Sequence, residues 1–256
     1  MKIEVLGAHN CESEKTKLVS FLIDDVLAID AGSLSSSLSF KAQQKIKAIL
    51  LTHAHFDHIR DIPILGMNAL LHETTINVSS TQPVREALAA HILNGQIYAN
   101  FMEKPENNPV IKFTVIESDK ATQIAGYSVL AVPPNHSVPT AGYQITSPEG
   151  ENFFYTGDTG PGLAECWQRV SPDLLIIEVT APNRYEEFGL KSLHLTPSLL
   201  KPELISFRKL KGCLPPVITV HMNPRQEKEI AAEILQLAED LNASITLAYE
   251  GMRIQL

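Results

Sequence analysis

The chain has 256 residues, 44% of them hydrophobic and 20% charged. That balance suits one large globular domain or two intimately packed halves, and it excludes a disordered or fibrous chain. A formal net charge of −8 argues against a general nucleic-acid binder, which would present a basic surface.

The first residues, Met1 to Leu6, read as a strand and not as a leader peptide. Further strands are predicted over Leu18–Ile23, Val26–Asp30, Ala48–Thr52 and Ile76–Ser79. Helical patterns fall at Ser37–Lys45, Ile64–Leu71 and Pro83–Leu93, the last with proline at an early helical position. Glu103–Pro109 is polar and contains proline and asparagine, which marks a surface loop. Strands resume at Ile111–Glu117, Gly126–Val132, Gly142–Ser147 and Asn152–Thr156, the last two forming a hairpin across Pro148-Glu149-Gly150. A short helix at Gly162–Val170 precedes the fully apolar strand Leu174–Ile177. Helix Ser198–Lys209, strand Val217–Val220, helix Gln226–Leu241 and strand Ile245–Ala248 close the pattern. Buried strands alternating with amphipathic helices imply sheets covered by helices, and the early hairpins argue against a purely parallel sheet. No apolar run approaches about 18 residues, so no membrane span is expected. Cys11, Cys166 and Cys213 are odd in number and far apart, as in a cytoplasmic protein with reduced thiols.

Residues 52–58 read Thr-His-Ala-His-Phe-Asp-His, directly after the apolar run Ala48-Ile49-Leu50-Leu51. Neutral imidazole and carboxylate are ligands for zinc and its borderline neighbours. His53 and His55 are two apart, so on an extended segment their side chains point the same way. Asp57 and His58 follow where the chain turns, within reach of a second ion. Two ions about 3.5–4 Å apart clamp the attacking and leaving oxygens of a displacement. Three more residues complete the donor set from other strand ends: His136 after Pro133-Pro134-Asn135, Asp158 between glycines in Thr156-Gly157-Asp158-Thr159-Gly160, and His221 after Val217–Val220. His91 within a helix and His72 near a helix end read as structural or solvated, and His9 lies in a loop.

With these residues in view, the chain resembles the metallo-β-lactamase-fold hydrolases over nearly its whole length, including the opening strands up to Asp30-Ala31-Gly32. The resemblance implies an α/β fold, a four-layer αβ/βα sandwich forming one domain over residues 1–256 with two pseudo-symmetric halves and metals at the edge between its sheets. It also implies one ion on His53, His55 and His136, another on Asp57, His58 and His221, and Asp158 bridging them. Zinc is the first candidate for both, with manganese or iron also suited to an all-N/O shell. Asp at the bridging position, with no Cys nearby, is similar to the dinuclear esterase and phosphodiesterase branches and unlike the true β-lactamases. Ile177-Glu178-Val179-Thr180 followed by Leu193-His194-Leu195-Thr196-Pro197 is similar to the class II cyclic-nucleotide phosphodiesterases. The segments around His136 and Asp158 resemble both that class and ribonuclease Z. Arg60-Asp61 replaces the two small residues usual after the histidine cluster.

Thr196 is placed to cap a helix with Pro197 at its first position, so His194 lies just before a helix N-terminus that favours an anion. Pro202 predicts a late start or a kink in that helix. The expected chemistry is attack on phosphorus by a hydroxide shared between two ions, with Asp57 orienting it, His194 assisting the leaving oxygen and Glu178 supporting His194. Arg60, Arg184 and Lys191 are candidate phosphate contacts, although surface solvation explains each more simply. The expected partner is a small phosphodiester, and a homodimer is the commonest closed assembly. Two other substrate classes stay open: RNA, as for ribonuclease Z, and carboxylic esters, thioesters or lactones cleaved by the same centre. A metal-binding module without turnover is a more distant reading.

Overall fold

The computed structural model describes residues 1–256. Its strands are β1 (Lys2–Gly7), β2 (Ser20–Ile23), β3 (Leu27–Ile29), β4 (Ala48–Leu50), β5 (Ile76–Ser80), β6 (Ile111–Val115), β7 (Ala121–Ile124), β8 (Tyr127–Val132), β9 (Gly142–Thr146), β10 (Asn152–Tyr155), β11 (Leu174–Glu178), β12 (Val217–Val220), β13 (Ile245–Leu247) and β14 (Arg253–Gln255). The helices are α1 (Leu34–Ser37), α2 (Phe40–Gln43), α3 (Phe56–Ile59), α4 (Ile62–Leu71), α5 (Gln82–Ala87), α6 (Ala164–Arg169), α7 (Glu186–Ser192), α8 (Pro197–Lys211) and α9 (Glu227–Leu241).

These strands form two seven-stranded sheets, ordered β14-β1-β2-β3-β4-β5-β6 and β13-β12-β11-β10-β9-β8-β7. Both are mixed. β3 to β6 run parallel in one sheet and β10 to β13 in the other, whereas β1, β2 and β7 to β9 pair antiparallel with their neighbours. The inner faces of the two sheets share one core, in which Val5, Phe21 and Ile29 of the first join Val129, Tyr143 and Phe153 of the second. Outside the second sheet, α8 contributes Leu200, Leu204 and Phe207, and α9 contributes Ile230, Ile234, Leu237 and Leu241 at helical spacing. A second cluster packs Leu65 and Ala69 of α4 against Ile49 and Val78 on the outer face of the first sheet. The result is helices, sheet, sheet, helices, as expected. Strands β10, β11 and β12 are buried along almost their whole length, which explains why their sequences are continuous apolar runs and not alternating ones.

Several local expectations are corrected. The helix predicted over Ser37–Lys45 is two single turns, because Ser39 is extended and its hydroxyl caps α2 at Ala42 N. The helix at Pro83–Leu93 begins as α5 and passes into a π-type turn, Leu88–Ile92. Pro202 lies inside α8 without ending it. The Thr196 cap, Pro197 and the buried face Leu199, Leu200, Glu203, Leu204 and Phe207 hold that helix through to Gly212. Three elements carry too little apolar pattern to be seen in the sequence: β7, the short edge strand β14, and α7, whose residues are mostly exposed.

At Gly7 the pairing of β1 with β2 shifts register, and a Cβ there would clash with the Leu18 carbonyl and sit 2.7 Å from Ser33 Oγ. Gly7→Ala is therefore expected to cost about 1–3 kcal/mol. Urea unfolding should show a lower midpoint at unchanged slope, and an unchanged midpoint would show that the bulge yields freely.

Candidate metal centre

Every predicted donor stands just beyond or at the start of a regular element along one edge of the two sheets. The chain leaving β4 reaches His53 within three residues, and His55 then precedes α3, whose first turns present Asp57 and His58. His136 follows β8, Asp158 follows β10, and His221 follows β12. Gly157 sets up Asp158 with φ +66°, and a Cβ on it would meet Thr52 Cβ at 3.0 Å. His221 and Asp30 are themselves left-handed, at φ +66° and +57°.

The side chains converge in two overlapping sets: His53, His55, His136 and Asp158, and Asp57, His58, Asp158 and His221, each with its donor atoms within 4.8 Å of one another. Asp158 Oδ2 is 3.7 Å from His53 Nε2 and 3.3 Å from His221 Nε2, while its Oδ1 is 3.3 Å from His58 Nε2. Asp57 Oδ2 lies 3.2 Å from His221 Nε2 and 3.5 Å from His58 Nε2, and His136 Nε2 lies 3.3 Å from His55 Nδ1. Bonds of about 2.1 Å around a tetrahedral ion impose ligand separations near these. His53 Nε2, His58 Nε2 and Asp158 Oδ1 are buried and have no hydrogen-bond partner. Such atoms are costly unless something else satisfies them. A divalent cation is the group that this donor set fits.

Charge follows the same logic. Burial holds the imidazoles of His53, His55 and His136 below their ordinary pKa, and the neighbouring His58 adds to the effect on His53. Although burial opposes it, His221 and His58 keep the Asp57 and Asp158 carboxyls below the usual carboxylate range. His58 differs: burial disfavours its charge, but Asp158 and Asp30 raise its pKa well above normal. In the metal-free protein a proton on His58 offsets the carboxylates, and a cation would displace it.

Behind the donors lies a support that the sequence reading did not assign. Asp30 Oδ2 accepts from His58 Nδ1 at 2.7 Å, and Thr52 Oγ1 bridges Asp30 to His53 Nδ1 at 3.0 Å. The signal was an Asp ending an apolar strand beside a Thr ending the next. His194 also joins the cluster, with its Nδ1 2.6 Å from Glu178 Oε1. Burial disfavours its charge, but Glu178 overcomes this and pushes its pKa up to about 9. Glu178 is fully buried and sits behind His194, so it positions that ring and does not face the cleft. The candidate phosphate contacts are occupied elsewhere: Arg60 pairs with Glu12 and Asp61, Arg184 with Glu229, and Lys191 with Glu187. His72 and His91 are exposed and outside the cluster, and His9 Nδ1 bonds Glu250 at 2.6 Å. Beside His136 opens a groove of about 480 Å³, bordered by Thr81, Pro83, Ser118, Pro133 and Pro134, with no Lys, Arg, Asp or Glu in its lining.

A 3′,5′-cyclic-nucleotide phosphodiesterase of Aliivibrio fischeri is 23% identical over 205 residues, covering 73% of this chain and 61% of that protein. The chain thus spans less than two thirds of that relative's length. Among solved structures, unliganded yeast PDE1 superposes with a TM-score of 0.85 at 16% identity, over 100% of this chain and 99% of its own. Human tRNase Z, short form, superposes with a TM-score of 0.70 at 18% identity, over 100% and 99% of the two chains. At these identities the structural likenesses establish the fold. The family description "Beta-lactamase superfamily domain" matches residues 21–248. The chain belongs to this β-lactamase superfamily and has the metallo-β-lactamase fold.

Proposed function

We propose that the chain is a dinuclear phosphodiesterase for a small phosphodiester, with 3′,5′-cyclic nucleotides as the first substrates to test. The observation that carries this reading is the pair of donor sets joined at Asp158, with the His194–Glu178 pair beside them. His53, His55, His136 and Asp158 would hold one ion, and Asp57, His58, Asp158 and His221 the other. Zinc is the first candidate, and manganese or iron also suits nitrogen and oxygen donors. Bound divalent ions would supply Lewis acidity, making water acidic near neutrality and offsetting phosphoryl charge.

The protein's own groups do the rest. The Asp57 side chain is partly exposed, which lets it orient an incoming water while it lies against His58 and His221. His194 gives Nδ1 to Glu178, so Nε2–H is the proton left to donate to a leaving alkoxide. The groove beside His136 lies within the usual range for ligand pockets, roughly 300–1,000 Å³. Its uncharged lining suits the neutral body of a small diester better than a polyanionic RNA.

Parallel assays with cyclic AMP, bis-p-nitrophenyl phosphate and a p-nitrophenyl carboxylic ester test this reading. Turnover of the phosphodiesters is expected, whereas rapid carboxylic-ester cleavage with neither diester touched would exclude it. His194→Ala should lower turnover of an alkyl phosphodiester by about 10²–10⁴-fold and affect a p-nitrophenyl diester much less, because that leaving group needs no proton. Equal losses on both would remove His194 from the leaving-group role.

Metal analysis is expected to find about two divalent ions per chain, and Asp158→Ala should lose both, since Asp158 belongs to both sets. Calorimetric titration in buffers of different ionisation enthalpy should show proton release on binding, with affinity falling as pH falls, because the His58 proton must leave. Pronounced affinity without proton release would contradict this.

The raised pKa of His194 also stabilises the metal-free fold. The contribution is complete below about pH 6.5, the unfolded value, and is lost as pH rises through about 9. The difference in Tm between the metal-free wild type and His194→Gln should therefore narrow between those values. A constant difference would show that the Glu178 pairing carries no net proton linkage.

A further inference from the structure

The support beneath the centre has the same form on both sheets. On the first, buried Asp30 takes His58 Nδ1 directly at 2.7 Å and reaches His53 through the Thr52 hydroxyl, 3.0 Å from the carboxylate and 3.0 Å from His53 Nδ1. On the second, buried Glu178 takes His194 Nδ1 directly at 2.6 Å. It reaches His221 through the Thr180 hydroxyl, 2.7 Å from Glu178 Oε2 and 2.8 Å from His221 Nδ1. Each arrangement consists of one carboxylate, one threonine and two imidazoles.

A threonine hydroxyl has one proton to give. Both carboxylates are acceptors only, so Thr180 donates to Glu178 and keeps its lone pairs for His221 Nδ1. His221 must then carry a hydrogen on Nδ1. Its Nε2 faces Asp57 and Asp158, 3.2 and 3.3 Å away; without an ion it donates to Asp57, and it is the nitrogen left for a cation. Thr180 is itself clamped. Its N–H donates to Leu195 O at 2.9 Å, beside His194, and its carbonyl accepts from Asn223 N at 3.0 Å, two residues past His221. Thr159 N and Leu195 N complete the hydrogen bonding of Glu178, at 3.0 and 3.3 Å. Thr180 thus joins the two loops that bring His194 and His221 to the cleft.

We propose that Thr180 is a positioning residue whose hydroxyl divides the Glu178 carboxylate between His194 and His221, holding a hydrogen on His221 Nδ1 and its Nε2 toward the cleft. One buried anion then holds both the ring that faces the substrate and a ring that faces the metal. The roles of those two rings rest on the function proposed above, whereas the Nδ1 hydrogen does not.

The test combines ¹⁵N-histidine spectra of the metal-free chain with zinc titration against a chromophoric chelator, for wild type, Thr180→Val and Thr180→Ser. Wild-type His221 is expected to show its hydrogen on Nδ1. Thr180→Val should abolish that signature and weaken binding at one zinc site by about 10–100-fold, as loss of an outer partner typically does, and Thr180→Ser should restore both. A wild-type His221 with no hydrogen on Nδ1 overturns the proposal, as does a Thr180→Val chain with unchanged Nδ1 protonation and affinity. If the wild type binds no zinc, the metal reading fails, and the His221 Nδ1 hydrogen still decides the role of Thr180. If Thr180→Val loses its fold by circular dichroism, the wild-type spectrum decides alone: a hydrogen on Nδ1 supports the proposal and a bare Nδ1 overturns it.

Discussion

The hydrogen bond that an imidazole Nδ1–H donates to a buried carboxylate is the interaction on which this molecule turns. Asp30 and Glu178 are both without access to water. An ion in that position is tolerable only if every lone pair is engaged. Asp30 is engaged by Thr52 N, Thr52 Oγ1 and His58, and Glu178 by Thr159 N, Leu195 N, Thr180 and His194. Those bonds fix which nitrogen of His58 and His194, and through Thr52 and Thr180 of His53 and His221, looks into the cleft. The carboxylates in the cleft, Asp57 and Asp158, each lie against imidazole nitrogens that offset their mutual repulsion.

The sheets explain why this set can be assembled from residues up to 168 positions apart, His53 to His221. Parallel strands deliver their successors to one edge, and β4, β10, β11 and β12 each end at, or within three residues of, a residue of the site or its support. The common core behind that edge is apolar and continuous between sheets, so the edge is a firm platform. Loops that carry chemistry work best on such a platform.

Much of this was legible in the residues. The apolar runs before His53 and His221 are long enough to announce buried strands, and the donors fall where those runs stop. The grouping of seven donors into two sets sharing Asp158 is the one the family resemblance implies. What stayed hidden was of two kinds. β7 and α7 present mostly polar, exposed residues, so no periodicity betrays them. Thr52 and Thr180 are ordinary threonines just past a strand end whose meaning depends on a buried carboxylate: Asp30, 22 residues away beyond the neighbouring strand, for Thr52, and Glu178, two residues back at the end of β11, for Thr180. Arg60 drew attention as an unusual neighbour of the motif. Its partners are Glu12 and Asp61, and Asp61 in turn accepts from Ser35 N at 2.6 Å, so the pair fastens the loop after β1 to the start of α4.

Asp30, His221 and Leu193 all adopt left-handed backbone, a conformation that costs an L-residue about 1–2 kcal/mol. Each earns its place by what it presents: Asp30 the carboxylate for His58, His221 its ring, and Leu193 a carbonyl that accepts from His136 Nδ1 at 3.1 Å. Glycine would relax the backbone at any of the three. At Leu193 glycine would keep the carbonyl, and at Asp30 it would strand Thr52 N and His58 Nδ1 without their buried acceptor. Only at His221 does relaxing the backbone trade directly against the cleft, so a directed-evolution campaign scored only by melting temperature would lose that ring first.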